Sequence, residues 1–220
     1  MILAVHAIPE ADRLAAIHDR IALLQWRDGR ETAGSVAREV KRNEQAAMDS
    51  TAGRSLTDEI STLLWDNQVI RAAAQPRRLS HLLISRTGEG GGYGAHVDNA
   101  LMGRGERRVR TDLSFTLFLT PPEDYDGGEL VIHAAGITQS VKGAAGHLVL
   151  YPSGSIHEVR PVTRVDREHG GRCGMPRDAV RSGESARHAA GAVAVAIGRA
   201  ADARQDDRQP IADVGAALKA

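Results

Sequence analysis

The residues of this chain best suited to carry out chemistry are two histidines, an aspartate and an arginine. His96 and Asp98 stand two positions apart, His157 follows on a later segment, and Arg167 lies ten residues beyond it. Two imidazoles and one carboxylate on one face of a ferrous ion leave three coordination positions open. Oxygen activation requires such open positions, so the set predicts an oxygen-activating iron site, provided that the four side chains converge.

Strand geometry explains how His96 and Asp98 could bind one ion. Residues two apart on a strand point to the same face, so the imidazole and the carboxylate would face the ion while Val97 faces away. Glycines at 90–92 and 94 precede the pair and add little bulk, which predicts a loop that a cosubstrate can approach closely. The spacing is not decisive alone, because a chain with nine histidines contains such pairs by chance.

Length and composition limit the possible classes of protein. A chain of 220 residues can form one substantial domain, or one domain with an appendage. The 28 basic residues equal the 28 acidic ones, so no overall charge attracts nucleic acid or an anionic membrane. A single cysteine, Cys173, excludes an intramolecular disulfide, and the sequence shows neither a signal peptide nor a membrane helix. These features predict a cytoplasmic protein.

The hydrophobic pattern predicts helices first and strands later. Leu14, Ile17, Ile21 and Leu24 recur at helical spacing and predict a helix over about 9–25, and a second helix is predicted around 56–64. Short apolar or β-branched runs, broken by glycine, proline and aspartate, follow. They predict strands at 79–86, 112–119, 128–133, 137–141, 147–151 and 156–162, which is typical of a sandwich or barrel.

Several blocks, in the same order along the chain, resemble the bacterial PKHD-type hydroxylases. These proteins belong to the Fe(II)- and 2-oxoglutarate-dependent dioxygenases of the prolyl 4-hydroxylase-like group. The blocks are YGAHVDNA at 93–100, RTDLSFTLFL at 110–119, YDGGELVI at 125–132, HLVLYPS at 147–153 and PVTR at 161–164. The resemblance extends over about residues 1–167 and is therefore more specific than any one motif.

The resemblance implies a fold, a ligand set and a reaction. The fold is a double-stranded β-helix, or jelly roll, mainly β with flanking α-helices. Fe(II) would be bound by His96, Asp98 and His157, and the C5 carboxylate of 2-oxoglutarate by Arg167, whose planar fork suits a carboxylate. The implied reaction uses O2 to hydroxylate an unactivated C–H bond, possible targets being a prolyl or other peptide or protein residue. It releases succinate and CO2, with L-ascorbate as a reductant.

Two other residues are implied near the cosubstrate. Tyr93 is expected to line its pocket or to pack on the sheet. Thr87 stands where the family commonly has a tyrosine, so it keeps a hydroxyl but reaches less far.

The resemblance ends after Arg167 and divides the chain into three parts. Residues 1–78 are expected to form a helical and mixed support region, and 79–167 the jelly-roll core. Residues 168–220 form a tail rich in Ala, Arg and Gly, without aromatic residues, where similar proteins have a final apolar strand. We therefore expect a jelly roll that lacks or alters its last strand, with Ala189–Ala196 as a surface helix or disordered.

The origin of the tail is a separate hypothesis. It is either a frameshifted translation of a GC-rich gene or a diverged terminus. Resequencing the locus, together with the mass of the intact protein, decides between the two, because an intact reading frame removes the frameshift.

Two other classes of function remain open from the sequence. One is a non-catalytic metal-binding jelly roll, a pseudoenzyme or sensor disabled by the altered C-terminus. The other is a cupin-like, non-oxidative metalloenzyme using Zn(II) or Mn(II), because the ligand set alone does not select the ion. Arg167 discriminates between these classes, since only the dioxygenase needs an anion-binding group opposite the metal. The primary substrate and the oligomeric state are not specified by the sequence.

Overall fold

The computed structural model describes residues 1–102, 108–165 and 188–200. The α-helices in these ranges are α1 (Ala11–Ala22), α2 (Ser35–Val40), α3 (Thr51–Asp66) and α4 (Gln68–Ala74). The strands are β1 (Leu3–His6), β2 (Trp26–Asp28), β3 (Lys41–Arg42), β4 (Glu44–Ala46), β5 (Arg78–Leu79), β6 (Leu83–Gly88), β7 (Gly92–His96), β8 (Leu101–Met102), β9 (Val109–Phe118), β10 (Tyr125–Gly127), β11 (Leu130–Ala134), β12 (Ile137–Val141), β13 (His147–Pro152), β14 (Ile156–Val159), β15 (Val162–Val165) and β16 (His188–Ala200).

Both predicted helices are present. The first is α1, which is shorter at both ends than the predicted 9–25, and the second is α3. α3 begins after Ser50, whose hydroxyl accepts a hydrogen bond from the Gly53 N–H and so caps the helix. Leu56, Ile60 and Leu64 follow at intervals of four and form one buried stripe. None of the described helices combines the length and the apolar composition that crossing a bilayer requires.

Two larger sheets form the body of the molecule. Nine strands make the larger sheet, along the order β1-β13-β9-β16-β6-β4-β2 with β5 beside β16 and β8 beside β9. Five strands make the smaller sheet, in the order β12-β11-β14-β7-β3, and β10 pairs separately with β15. From β6 onward the chain passes back and forth between the two larger sheets, which is the connectivity of a jelly roll.

The alternation of side chains along β9 separates two cores. Phe115 and Leu117 face the helices and pack in one cluster with Ile17 of α1 and Ile60 of α3. Phe118 faces the other way and packs with Ile132 of the smaller sheet. The inner face of β9 therefore also carries Ser114 and Thr116, two buried polar residues.

Most predicted strands are present, and two predictions must be divided. The run predicted at 79–86 falls on β5 and β6, with residues 80–82 outside both strands. The run predicted at 137–141 coincides with β12. The run predicted at 156–162 is wrong as a single strand, because β14 ends at Val159 and β15 begins at Val162 with Pro161 between them. Proline has no N–H to donate to a ladder, so the strand is interrupted there.

The first 78 residues contribute strands as well as helices. β1 pairs with β13 and β4 pairs with β6, so both join the larger sheet. β3 pairs with β7 at the edge of the smaller sheet. These strands are only two to four residues long, too short for an alternating pattern to reveal them.

The expectation of a missing last strand, and of a helix or disorder at Ala189–Ala196, is wrong. Residues 188–200 form β16, which pairs antiparallel with β9 on one side and β6 on the other. Val193, Val195 and Ile197 recur at every second position, which is the period of a strand. The alanines between them favoured a helical interpretation. The segment forms a strand because β9 and β6 provide backbone hydrogen-bond partners on both of its sides.

Candidate metal centre

The structure brings together the three predicted metal ligands. One ligand atom from each of His96, Asp98 and His157 can be chosen so that all lie within 4.8 Å of one another. His157 Nε2 lies 3.8 Å from Asp98 Oδ1. Donors on one ion, with bonds of about 2.1 Å, lie roughly 3 to 4 Å apart. The three side chains are therefore near the separation that a bound metal ion requires.

A bulge between β7 and β14 sets the direction of His96. His157 pairs with His96 and Val159 pairs with Tyr93, so three steps on β7 lie opposite two steps on β14. The additional residue allows Tyr93 and His96 to share one side of the strand. Their rings stack with centroids 3.6 Å apart and planes 18° apart. Tyr93 thus packs directly on one of the candidate ligands.

Asp98 is not placed by the pleat of a strand, contrary to the sequence interpretation. β7 ends at His96, and Asp98 follows in the connection beyond it. Its N–H donates to the carbonyl of Ser153, in the turn between β13 and β14, at 3.3 Å. The Ser114 hydroxyl donates to Asp98 Oδ2, which leaves Oδ1 facing His157. Two contacts with other segments therefore orient this carboxylate.

Both histidines are oriented by backbone carbonyl groups. His96 Nδ1 lies 2.8 Å from the Gly94 oxygen, and His157 Nδ1 lies 3.0 Å from the Ser155 oxygen. A carbonyl oxygen can only accept, so each Nδ1 carries the hydrogen and each Nε2 keeps a lone pair. This is the tautomer that binds a metal ion through Nε2.

The electrostatics of the site favour a neutral imidazole at His96. Burial, followed by the neighbouring His157, lowers the pKa of His96 to about 4. His96 is therefore neutral near pH 7, as a metal ligand must be. Burial, followed by the charge of Asp98, raises the pKa of Tyr93 to about 12, so its hydroxyl stays protonated.

Gly91 and Gly94, before His96, accommodate neighbouring segments of the protein itself. A Cβ atom at Gly91 would lie 2.6 Å from the Arg42 carbonyl oxygen, and one at Gly94 would lie 2.8 Å from Val40 Cβ. Both distances are too short for real contacts. The absence of side chains at these positions lets β3, and the end of α2 before it, lie directly against β7. These two glycines thus serve the packing of strands, and the close approach of a cosubstrate to the segment stays a prediction.

Lys41 and Ser114 belong to the site but were missed by the sequence interpretation. Lys41 is 4% exposed on β3, opposite Tyr93, and its Nζ lies 5.1 Å from the centre of the Tyr93 ring. Burial lowers the pKa of Lys41 to about 8, against the opposing charges of Asp98 and Asp28. Ser114 gave little signal in the sequence, because its strand β9 carries several other polar residues.

The predicted cosubstrate residues have different outcomes. β15 ends at Val165, and Arg167 lies outside the described residues. Arg164, three positions before Arg167, forms an exposed ion pair with Asp126, with its Nε 2.6 Å from Asp126 Oδ2. Thr87 is buried on β6, on the face opposite the helix-packed Ile84 and thus on the inner side. Its contact with a cosubstrate stays a prediction.

Comparison with known proteins identifies the family. Residues 82–172 match the family model of the 2OG-Fe(II) oxygenase superfamily. A PKHD-type hydroxylase of Hyphomonas neptunium is 46% identical over 165 residues, which cover 75% of this chain and 74% of the relative. The chain belongs to the PKHD-type hydroxylases. It is therefore a member of the 2-oxoglutarate-dependent dioxygenases, as the sequence resemblance predicted.

Solved structures support the fold of this PKHD-type hydroxylase. An oxidoreductase of the 2OG-Fe(II) oxygenase family from Burkholderia pseudomallei aligns with a TM-score of 0.58 and 15% identity, over 90% of this chain and 84% of that one. A prolyl-4-hydroxylase from Pseudomonas putida aligns with a TM-score of 0.51 and 19% identity, over 90% and 92%. At these identities the likeness concerns the fold, and it confirms the predicted jelly roll.

Proposed function

We propose that this PKHD-type hydroxylase binds Fe(II) through His96, Asp98 and His157 and hydroxylates an unactivated C–H bond. The substrate R–H, 2-oxoglutarate and O2 would give R–OH, succinate and CO2. The bound iron would supply the oxygen activation that couples this decarboxylation to the hydroxylation. The protein would supply the orientation of the ligands and a water-poor cavity.

One observation carries the proposal. Both histidines donate Nδ1–H to a carbonyl group and present Nε2 toward the same space as Asp98 Oδ1. Two neutral nitrogen donors and one carboxylate oxygen fit a ferrous ion and leave positions for a chelating cosubstrate and for O2. Hydrogen bonds to the remaining atoms of all three side chains support a site arranged for metal binding.

The cosubstrate is proposed to extend from the metal toward Arg167. A 2-oxo acid can chelate iron through its oxo group and its C1 carboxylate, which leaves the C5 carboxylate for a guanidinium. Tyr93 and Thr87 are proposed to border the cosubstrate, and L-ascorbate to restore oxidised iron. The expected location of the reaction is the cytoplasm.

A prolyl or other peptide or protein residue is the proposed target of hydroxylation. The name of the Pseudomonas putida structure, a prolyl-4-hydroxylase with the same fold, supports this choice. Peptides incubated with and without the protein should show a mass gain of one oxygen atom, which mass spectrometry locates.

Succinate production tests the enzymatic proposal. Purified protein receives Fe(II), 2-oxoglutarate and ascorbate under air, and succinate is measured against the variant His96→Ala. We expect the variant to lose at least about 100-fold in rate, because removing one ligand removes a third of the protein's coordination to iron. Equal rates in both proteins would contradict the proposal, and metal binding without succinate would favour the non-catalytic class.

A further inference from the structure

A cleft of about 1180 Å³ that includes Lys41 is lined mainly by charged residues. Most of the charged side chains that line the cleft are exposed to solvent, and some of them form ion pairs with each other. Arg30 pairs with Asp28, and Arg86 pairs with Glu44. Lys41 differs from the other charged residues of the cleft lining, because it is 4% exposed.

The ammonium group of Lys41 has few partners for a buried charge. Its Nζ donates to the Thr32 hydroxyl at 3.2 Å and lies over the Tyr93 ring. No carboxylate among the described residues comes within 4.0 Å of it. An ammonium group has three N–H donors, and a buried charge without an opposite charge is costly. A ligand that brings a negative charge would therefore be favoured at this position.

The position of Lys41 is fixed by the backbone. β3 pairs with β7 so that Lys41 lies opposite Tyr93, which stacks on His96. The close contact of Gly91 with the Arg42 carbonyl keeps this register. Lys41 therefore lines the cleft and is held one aromatic ring away from a candidate metal ligand.

We propose that Lys41 binds a carboxylate group of the primary substrate and that this hydroxylase acts on an acidic substrate entering through the cleft. The proposal rests on the proposed function, since it concerns the substrate of that reaction. One cation with one neighbouring hydroxyl matches a monoanion such as a carboxylate. Two acids act on Lys41, Asp98 and Asp28, and Asp28 already pairs with Arg30. A divalent cation at the metal centre would offset the charge of Asp98 and leave Lys41 more in need of an anionic ligand.

The same carboxylate chemistry could come from the cosubstrate, and the experiment separates the two sources. Protein loaded with Mn(II) and saturating 2-oxoglutarate is titrated with N-acetylproline and with N-acetylprolinamide, which differ by one negative charge. Calorimetry gives the dissociation constants for wild type, Lys41→Met and Lys41→Gln. A second titration gives the dissociation constant of 2-oxoglutarate for each protein.

We expect wild type to bind the acid at least about tenfold more tightly than the amide, since a buried charge pair adds that much affinity. Both variants should bind acid and amide within about twofold of each other and should keep the wild-type affinity for 2-oxoglutarate. Arg42→Met is the matched control. It removes an exposed cation from the next position of the same strand and should keep the discrimination.

Three results would overturn the proposal. They are equal or undetectable binding of the two probes by wild type, discrimination that persists without Lys41, and a loss confined to 2-oxoglutarate affinity, which would assign Lys41 to the cosubstrate. The wild-type comparison remains valid if a variant does not fold. Succinate production by wild type is judged separately, so failure of the proposed reaction and failure of the acidic-substrate proposal are distinguishable.

Discussion

Ser114 orients Asp98 from the opposite sheet. It is 1% exposed, and its hydroxyl donates to Asp98 Oδ2. Groups that orient a metal ligand are typically worth about 10- to 100-fold in metal affinity. We expect Ser114→Ala to weaken Mn(II) binding by about that factor, because Asp98 would lose the contact that directs Oδ1 toward His157. Titration calorimetry with Mn(II) measures the change.

Ser153→Ala is the matched control for this substitution. Ser153 is also buried, and its hydroxyl donates to the Thr111 carbonyl at 2.7 Å without touching a ligand side chain. Its loss should lower the free energy of unfolding by about 1 kcal/mol and leave the Mn(II) affinity near that of wild type. Equal Mn(II) affinity in Ser114→Ala and wild type would show that Ser114 has no orienting role.

The sequence could indicate the ligands but not the residues that assist them. Histidine and aspartate are the side chains that bind iron, so their types and spacing identify His96, Asp98 and His157 as candidates. Serine and lysine occur in many roles, and Ser114 meets Asp98 across 16 positions of sequence. Lys41 offered a weak signal as one of three lysines among 28 basic residues. Only the fold shows that it is buried.

At the level of elements, glycines hold β3 against β7. A methyl group at Gly91 would meet the Arg42 carbonyl oxygen at 2.6 Å and the Gly88 oxygen at 3.0 Å. Backbone atoms cannot swing aside, so Gly91→Ala must displace β3. We expect a loss of about 1 to 3 kcal/mol in the free energy of unfolding. Urea denaturation followed by circular dichroism measures this loss.

Gly34→Ala provides the comparison for a glycine without close neighbours. Gly34 precedes α2 with φ of −60°, and a Cβ atom there meets nothing within 4 Å. Gly34 is the N-cap of α2, where alanine is less favourable than glycine, so alanine should lower the free energy of unfolding by about 0.5 kcal/mol, less than at Gly91. If Gly91→Ala proved as stable as Gly34→Ala, the close contact would not be what holds β3 in place.

Strands with a regular hydrophobic pattern were predictable from the sequence. Strands whose structure depends on a bulge or on neighbouring strands were not. β9 and β13 follow apolar or alternating runs, because each has faces packed on a core. The bulge in β7 depends on its pairing with β14, which a single segment cannot reveal. β16 was misinterpreted because alanine favours helices in isolation, whereas its position between β9 and β6 is decided by pairing.

At the level of the whole molecule, the candidate metal centre connects the two larger sheets. His157 lies on β14 and His96 on β7, both in the smaller sheet. Asp98 follows β7 and is bound by Ser114 of β9, in the larger sheet. An ion held by these three side chains would therefore cross-link neighbouring strands and, through Ser114, the two layers. Metal binding should for this reason stabilise the native state as a whole.

Thermal denaturation with and without metal tests this coupling. An ion at 100 times its dissociation constant stabilises the native state by about 2.7 kcal/mol. For a chain of this size that corresponds to a rise in Tm of about 5 to 10 °C, because each kcal/mol shifts Tm by roughly 2 to 4 °C. We expect this rise when Mn(II) replaces EDTA, and its absence in His157→Ala, which lacks one donor. A similar rise in His157→Ala would mean that the stabilising ion binds elsewhere on the protein.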